Sequence, residues 1–215
     1  MKKIVKDTIG PLMWIVSKIY PYTFSFHLHV LRDVFYTMWI KNFIGYVGES
    51  SLIAYPCLLQ GEGQKHVALG NNIRIQSHCV LGCWEKYGKK QFYSPEIIIG
   101  NDCNIGEYSH ISAINQITIG DGLLTGRFVY IGDNAHGGLS WEEAKIPPVN
   151  RNLYSKGPIT IGRNVWIGDR VSIFGGVTIG DNVIIGAGSI VTHDLPSNCI
   201  AVGAPAKIVK ELSNV

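Results

Sequence analysis

Charge is scarce in this 215-residue chain, where Asp, Glu, Lys and Arg make up only 16% of the residues. So thin a charged complement argues against a helical bundle, whose exposed positions fill with Lys and Glu. The formal net charge is +3, and no basic run is interleaved with aromatics, so a nucleic-acid partner is not expected. Cysteine is sparse and scattered: Cys57, Cys79, Cys83, Cys103 and Cys199 form no CxxC pair and no His/Cys group at zinc spacing. That speaks against a disulfide framework or a structural metal, and an odd, scattered set fits a reducing compartment. No apolar run near the N-terminus is long enough to span a bilayer, and no signal-peptide cleavage pattern is present. The expected location is cytoplasmic.

What the chain has in quantity is glycine, 25 residues, and a period of six. Ile161, Ile167, Ile173, Ile179, Ile185 and Val191 are spaced six apart without a slip. Extending the register backwards gives 47/53/59, 69/75/81, 99/105/111 and 119/125/131. Seventeen of these eighteen positions hold Ile, Leu or Val, Thr125 being the exception, and Gly follows in twelve of the eighteen. A helical 3.6-residue period does not produce such a series, and neither does a hairpin alternation. A short strand and a turn per hexapeptide does. Three such units make a triangular coil, and coils stack about 4.8 Å apart around an apolar axis. The series counts out as six coils, with insertions of 4, 12, 2 and 24 residues between the first five. A second inward slot four residues on holds Val165, Val171, Val177 and Val183 and, earlier, Cys57, Cys79 and Cys103. Those three cysteines are expected as small core residues. Ala135 falls in the same slot.

The segment "IGRNVWIGDRVSIFGGVTIGDNVIIGAGSIVTHDLPSNCIAVGAPAKIVK" (161–210) resembles the C-terminal half of the hexapeptide-repeat acyltransferases. The resemblance implies an all-β fold, a left-handed parallel β-helix of about six coils over 45–206. A helical segment would precede it over 1–44, a loop over 137–160 would protrude, and a tail would follow over 207–215. The handedness comes from the resemblance alone, since strand crossovers are ordinarily right-handed.

His136 takes the last, outward position of its hexapeptide, immediately before the longest insertion. A neutral imidazole there can accept a proton from an alcohol or amine. Galactoside and maltose acetyltransferase-like members of the family place their catalytic histidine at the same distance after an "IGD" strand, as in "ITIGDGLLTGRFVYIGDNAH". The resemblance therefore implies His136 as general base in direct acetyl transfer from acetyl-CoA, within a ternary complex. Asp133, Glu142 and Glu143 are all near enough in sequence to orient it, and the residues do not choose among them. His78 and His110 occupy outward slots with no shared spacing, and the His pair five apart that γ-carbonic anhydrases use around zinc is missing; no metal is expected.

For the coenzyme, similarity points to Asp169 near the thioester, Ala187 for a backbone contact to pantetheine, and Thr192, His193, Lys207 and Lys210 near the nucleotide end. Trp166, on an outward slot, could line the same groove or pack between subunits. "NIGEYSHIS" (104–112) falls opposite the family's acceptor-binding strand. Gly106 stands where galactoside-type enzymes carry Asn, so Asn104, Glu107 and Tyr108 are the acceptor candidates. The resemblance also implies a homotrimer with active sites between subunits, which would cover the outward Leu124, Trp166 and Ile184.

Residues 1–44 carry six Lys/Arg against two Asp, and Leu28, Leu31, Val34/Phe35 and Met38/Trp39 recur at helical spacing. Two readings stand: a helix covering the open edge of the first coil, or an interfacial helix near the inner face of a membrane holding a lipid-linked sugar. A basic, aromatic N-terminal segment beside such a β-helix resembles the O-acetyltransferases of bacterial surface polysaccharides. The expected acceptor is accordingly a sugar or polysaccharide-precursor hydroxyl. Antibiotic or amino-sugar acetylation, and a catalytically inactive scaffold, are the alternatives.

Overall fold

The computed structural model describes residues 5–88, 91–138 and 140–211. Leu139 of the expected loop lies outside the described residues, as do 1–4 of the N-terminal segment and 212–215 of the tail.

Short strands stack in parallel on three faces of a triangular prism. On the first face Val47, Leu69, Ile99, Ile119, Ile161 and Ile179 stand in one row. On the second, Ile53, Ile75, Ile105, Thr125, Ile167 and Ile185 do so. On the third, Leu59, Leu81, Ile111, Ile131, Ile173 and Val191 complete the set. The six-residue register is thus the register of the stack. All these side chains point inward and are buried, except the half-buried Val47 and Leu59 in the first coil. Burying each such aliphatic side chain contributes about 1.5–3 kcal/mol, so the axis of the prism is the stabilising core. The cysteines share it: all five are free and buried, and burial pushes the Cys57 thiol up to about 12.

Thr125 is accommodated because its hydroxyl is satisfied: Oγ1 accepts from the Gly106 amide at 2.8 Å and donates to the Gly126 carbonyl at 3.0 Å. Gly106 is glycine for the same reason, since a Cβ there would run into the Gly126 carbonyl.

The turns between the first two faces form a polar ladder. Asn72, Asp102, Asn164, Asn182 and Asn198 adopt positive φ, which Asn and Asp tolerate better than most residues, and Asn72 Nδ2 donates to Asp102 at 2.7 Å. One residue earlier in each coil, Asn101, Asp121 and Asp181 accept the backbone amides of the preceding coil. The "IGD" and "IGxN" words of the repeat are therefore corner hydrogen bonds. The corner between the second and third faces is built from rings instead: Tyr108 stacks between His78 and Phe128, and the Arg170 guanidinium covers Phe128.

The third corner carries the irregular segments. From it leave a hairpin (Lys86–Tyr87 with Gln91–Phe92), a two-residue connection at 114–115, and the long loop after Asp133. Ala135 does not fill the core slot the period assigns it. It is exposed, because the chain leaves the coil here and Ala135–His136 pairs antiparallel with Leu153–Tyr154 of the returning loop. Nor does the C-terminal segment trail away: Lys207–Glu211 is a strand antiparallel to Cys199–Val202, covering the edge of the second face.

At the other end, helix α1 (Gly10–Ile19) follows a π-helical turn and leads into helix α2 (Tyr22–Ile40). The C-terminal half of α2 sits on the first coil and satisfies its open edge. Thr37 Oγ1 accepts the Ile53 amide while donating back to the Asp33 carbonyl of its own helix, and the Tyr36 hydroxyl both donates to the Cys57 carbonyl and accepts its amide. Helix α1 makes no such contact, and none of its residues is buried.

Candidate active site

His136 stands at the third corner, exposed, on the short strand where the coil opens into the loop. It lines a cleft of about 290 Å³ together with Gln60, Trp84, Tyr87, His110, Tyr130 and Asn134, with Ser112 and Leu153 completing the lining. Three elements meet here: the outer surface of the third face, the hairpin from the second coil, and the long loop from the fourth.

The loop projects from this corner together with the hairpin and is fastened to it. Tyr87 donates to the Val149 carbonyl at 3.0 Å, and the Tyr93 hydroxyl lies between Gln91 Oε1 at 2.7 Å and the Leu153 carbonyl at 3.1 Å. The Leu153 amide donates in turn to Gln91 Oε1 at 3.1 Å. Within the loop Ser140 caps the short helix α3 (Trp141–Ala144), accepting the Glu143 amide, and Glu143 accepts the Gly138 amide at 2.9 Å.

None of the three carboxylates that sequence proximity offered is hydrogen-bonded to His136 among the described residues. Asp133 is turned into the coil, accepting the Ile114 and Asn115 amides at 2.8 and 2.9 Å. Burial raises its carboxyl above the usual range, those amide bonds offsetting part of the effect. Glu143 is held by the loop, and Glu142 lies on the exposed face of α3. The partner of His136 is Tyr87, whose hydroxyl lies 3.3 Å from Nδ1 with the rings edge to face at 5.3 Å.

His110, set aside on its sequence spacing, lines the same cleft. Its Nε2 is buried without a hydrogen-bond partner among the described residues, and desolvation by burial lowers its pKa. Trp84, Tyr87 and His110 were hidden from the spacing argument because they belong to other coils. One signal was available: the 12- and 24-residue insertions open at the same position of the coil and so must project from one corner.

The other candidates are distributed around the prism. Trp166 is half-exposed on the second face, in a row with Leu124, Ile184, Ile200 and Lys210. Asp169 and Ala187 occupy the corner between the second and third faces. The Asp169 carboxylate accepts the Arg127 amide at 2.9 Å, so it also serves the corner. Thr192 and His193 lie at the third corner, hydrogen-bonded to each other at 2.9 Å, and Lys207 and Lys210 project from the terminal strand, exposed. One chain does not bring the donor candidates together on a single edge.

Within one chain the acceptor candidates lie apart from His136. Asn104 lies on the second face, Glu107 pairs with Arg127 across the ring-lined corner, and Tyr108 is locked in the stacked rings there. None lines the cleft of His136 in its own chain. Their positions in the coil put them one face away. The side chains that do line it come from the third face and the hairpin.

Comparison with known proteins fits this architecture. The family model "Bacterial transferase hexapeptide (six repeats)" matches residues 158–193. Over 192 residues the chain is 29% identical to WbbJ of Escherichia coli (strain K12), a candidate O-acetyl transferase of lipopolysaccharide biosynthesis, covering 87% of this chain and 89% of that protein. A galactoside acetyltransferase solved with coenzyme A is 31% identical, with a TM-score of 0.55 over 81% of this chain and 68% of that one. A variant of AntD, an N-acyltransferase from Bacillus cereus solved with dTDP and coenzyme A, superposes with a TM-score of 0.64 at 25% identity, covering 80% and 87%. The chain belongs to the hexapeptide-repeat family of acyl-CoA-dependent acetyltransferases, built on a left-handed parallel β-helix.

Proposed function

We propose that this protein transfers an acetyl group from acetyl-CoA to a hydroxyl of a neutral sugar or surface-polysaccharide precursor, with His136 as general base. The observation that carries the reading is the chemistry of the cleft. Its lining offers amides, hydroxyls, imidazoles and an indole around His136, and no Asp, Glu, Lys or Arg among the described residues. An amine acceptor arrives largely as an ammonium ion, which a carboxylate would hold and help to deprotonate. Asp133, the carboxylate nearest in sequence, is committed to backbone amides. A sugar presents neutral hydroxyls to such a lining and an apolar ring face to Trp84.

In the proposed step the imidazole takes the hydroxyl proton as the oxygen attacks the thioester carbonyl carbon. The tetrahedral adduct collapses with cleavage of the C–S bond. The thiolate recovers the proton, leaving coenzyme A and the acetyl ester. The donor would run along a groove between neighbouring chains. Trp166, Asp169, Ala187, Thr192, His193, Lys207 and Lys210 are the candidate contacts, the lysines facing the nucleotide phosphates. Their spread over two edges supports a homotrimer, in which each groove takes one wall from each of two subunits. In that assembly Asn104, Glu107 and Tyr108 would be offered to a neighbour's cleft. The exposed, apolar α1 supports peripheral contact with the inner face of a membrane carrying a lipid-linked acceptor.

A screen of acceptors with acetyl-CoA, reading thiol release, tests the reading. Neutral glycosides should be acetylated and amino sugars of the same configuration should be poor acceptors. Preference for the amine would overturn the hydroxyl assignment, and absence of coenzyme A binding by calorimetry would favour an inactive scaffold.

A further inference from the structure

A neutral imidazole has one proton and two nitrogens, and only the bare nitrogen can act as a base. The surroundings of His136 bear on which one is bare. The Tyr87 hydroxyl lies 3.0 Å from the carbonyl oxygen of Val149 and 3.3 Å from Nδ1 of His136. A carbonyl can only accept, and a phenol has one proton to give, so that proton points at Val149. The oxygen lone pair then faces Nδ1, and a favourable contact requires Nδ1 to carry the hydrogen. Nε2 is left with its lone pair free.

From this we infer that Tyr87 is a positioning residue: with Val149 it holds His136 in the Nδ1–H tautomer, so that Nε2 is the nitrogen that removes the acceptor proton. The inference rests on the reading of His136 as the base. The chain of donors runs from His136 Nδ1–H to the Tyr87 oxygen, and from the Tyr87 hydroxyl to the Val149 carbonyl. The edge-to-face contact of the two rings at 5.3 Å limits the imidazole's rotation. Among the described residues no carboxylate takes the place of Tyr87. The orienting group is thus neutral, and it comes from one insertion while the carbonyl that aims it comes from another. When Nε2 gains the acceptor proton, Nδ1 keeps its own, so the same hydrogen bonds hold the imidazolium until the proton passes to the departing thiolate. The arrangement explains why the hairpin and the loop are tied together at three points: the tie aligns the base.

The test is spectroscopic. Long-range proton–nitrogen correlation of ¹⁵N-labelled full-length protein, at a pH where the ring is neutral, reports which nitrogen of His136 is protonated. The His136→Gln variant identifies the signal. Wild type should show Nδ1 protonated and Nε2 bare. Tyr87→Phe keeps the ring but removes the hydroxyl, and should move His136 towards the Nε2–H form, with a melting profile close to that of wild type. Protonation at Nε2 in the wild type would overturn the inference, and so would an Nδ1–H ring left unchanged by Tyr87→Phe. Should Tyr87→Phe unfold, Tyr87→Met, which also lacks the hydroxyl, is read in the same way. The measurement requires no turnover, so loss of the tautomer assignment is distinguishable from loss of the general-base assignment, which His136→Ala kinetics decide.

Discussion

At the scale of the residue, the most instructive position is Thr125, the one polar side chain in a register otherwise aliphatic. Its hydroxyl accepts the Gly106 amide and donates to Gly126, in a place too narrow for any side chain at 106. Thr125→Val preserves the shape and removes the acceptor, leaving the Gly106 amide buried and unpaired. The expected loss is about 1–3 kcal/mol of stability, measurable as a lower urea midpoint with an unchanged slope. An unchanged midpoint would mean that the amide finds another partner. His136 shows the opposite economy. It is exposed and makes few contacts, so its removal should leave the fold intact.

At the scale of the element, the sequence was legible wherever the period ran. The six-spaced inward residues from Val47 to Val191 stand in three rows along the stack, because inward aliphatics and close-packed glycines repeat at one interval. Legibility ended where the chain left the coil. Ala135 sits at the right interval, yet the returning strand Leu153–Tyr154 takes its edge. Tyr87 and His110 reach the cleft through spatial neighbours 49 and 26 residues from His136 in sequence, which no local pattern encodes. The N-terminal helices divide in the same way. The end of α2 is fixed by hydrogen bonds to the first coil, whereas α1 has none and presents Leu12, Trp14, Ile15 and Ile19 to solvent. Among the described residues no helix is long and apolar enough to cross a membrane; the contact proposed above for α1 is an interfacial one. The protein should co-sediment with anionic vesicles, and the triple variant Leu12→Ser, Trp14→Ser, Ile15→Ser should lose that binding while keeping its melting temperature. Equal sedimentation of variant and wild type would rule out α1 as the contact.

At the scale of the whole molecule, a stiff apolar prism projects its variable segments from one corner and so converges chemistry from coils that are far apart in sequence. The prism supplies register. The hairpin and the loop supply the cleft, and the exposed second-face row of Leu124, Trp166 and Lys210 is the surface that the proposed trimer would cover. In the proposed function the exposed imidazole of His136 is the base of acetyl transfer to a hydroxyl. That role is tested most directly by kcat of His136→Ala on a wild-type acceptor at saturating acetyl-CoA, alongside coenzyme A affinity. The account predicts a fall in kcat of about 10²–10⁴-fold with coenzyme A affinity and melting temperature unchanged. A variant that turned over at near the wild-type rate would contradict it.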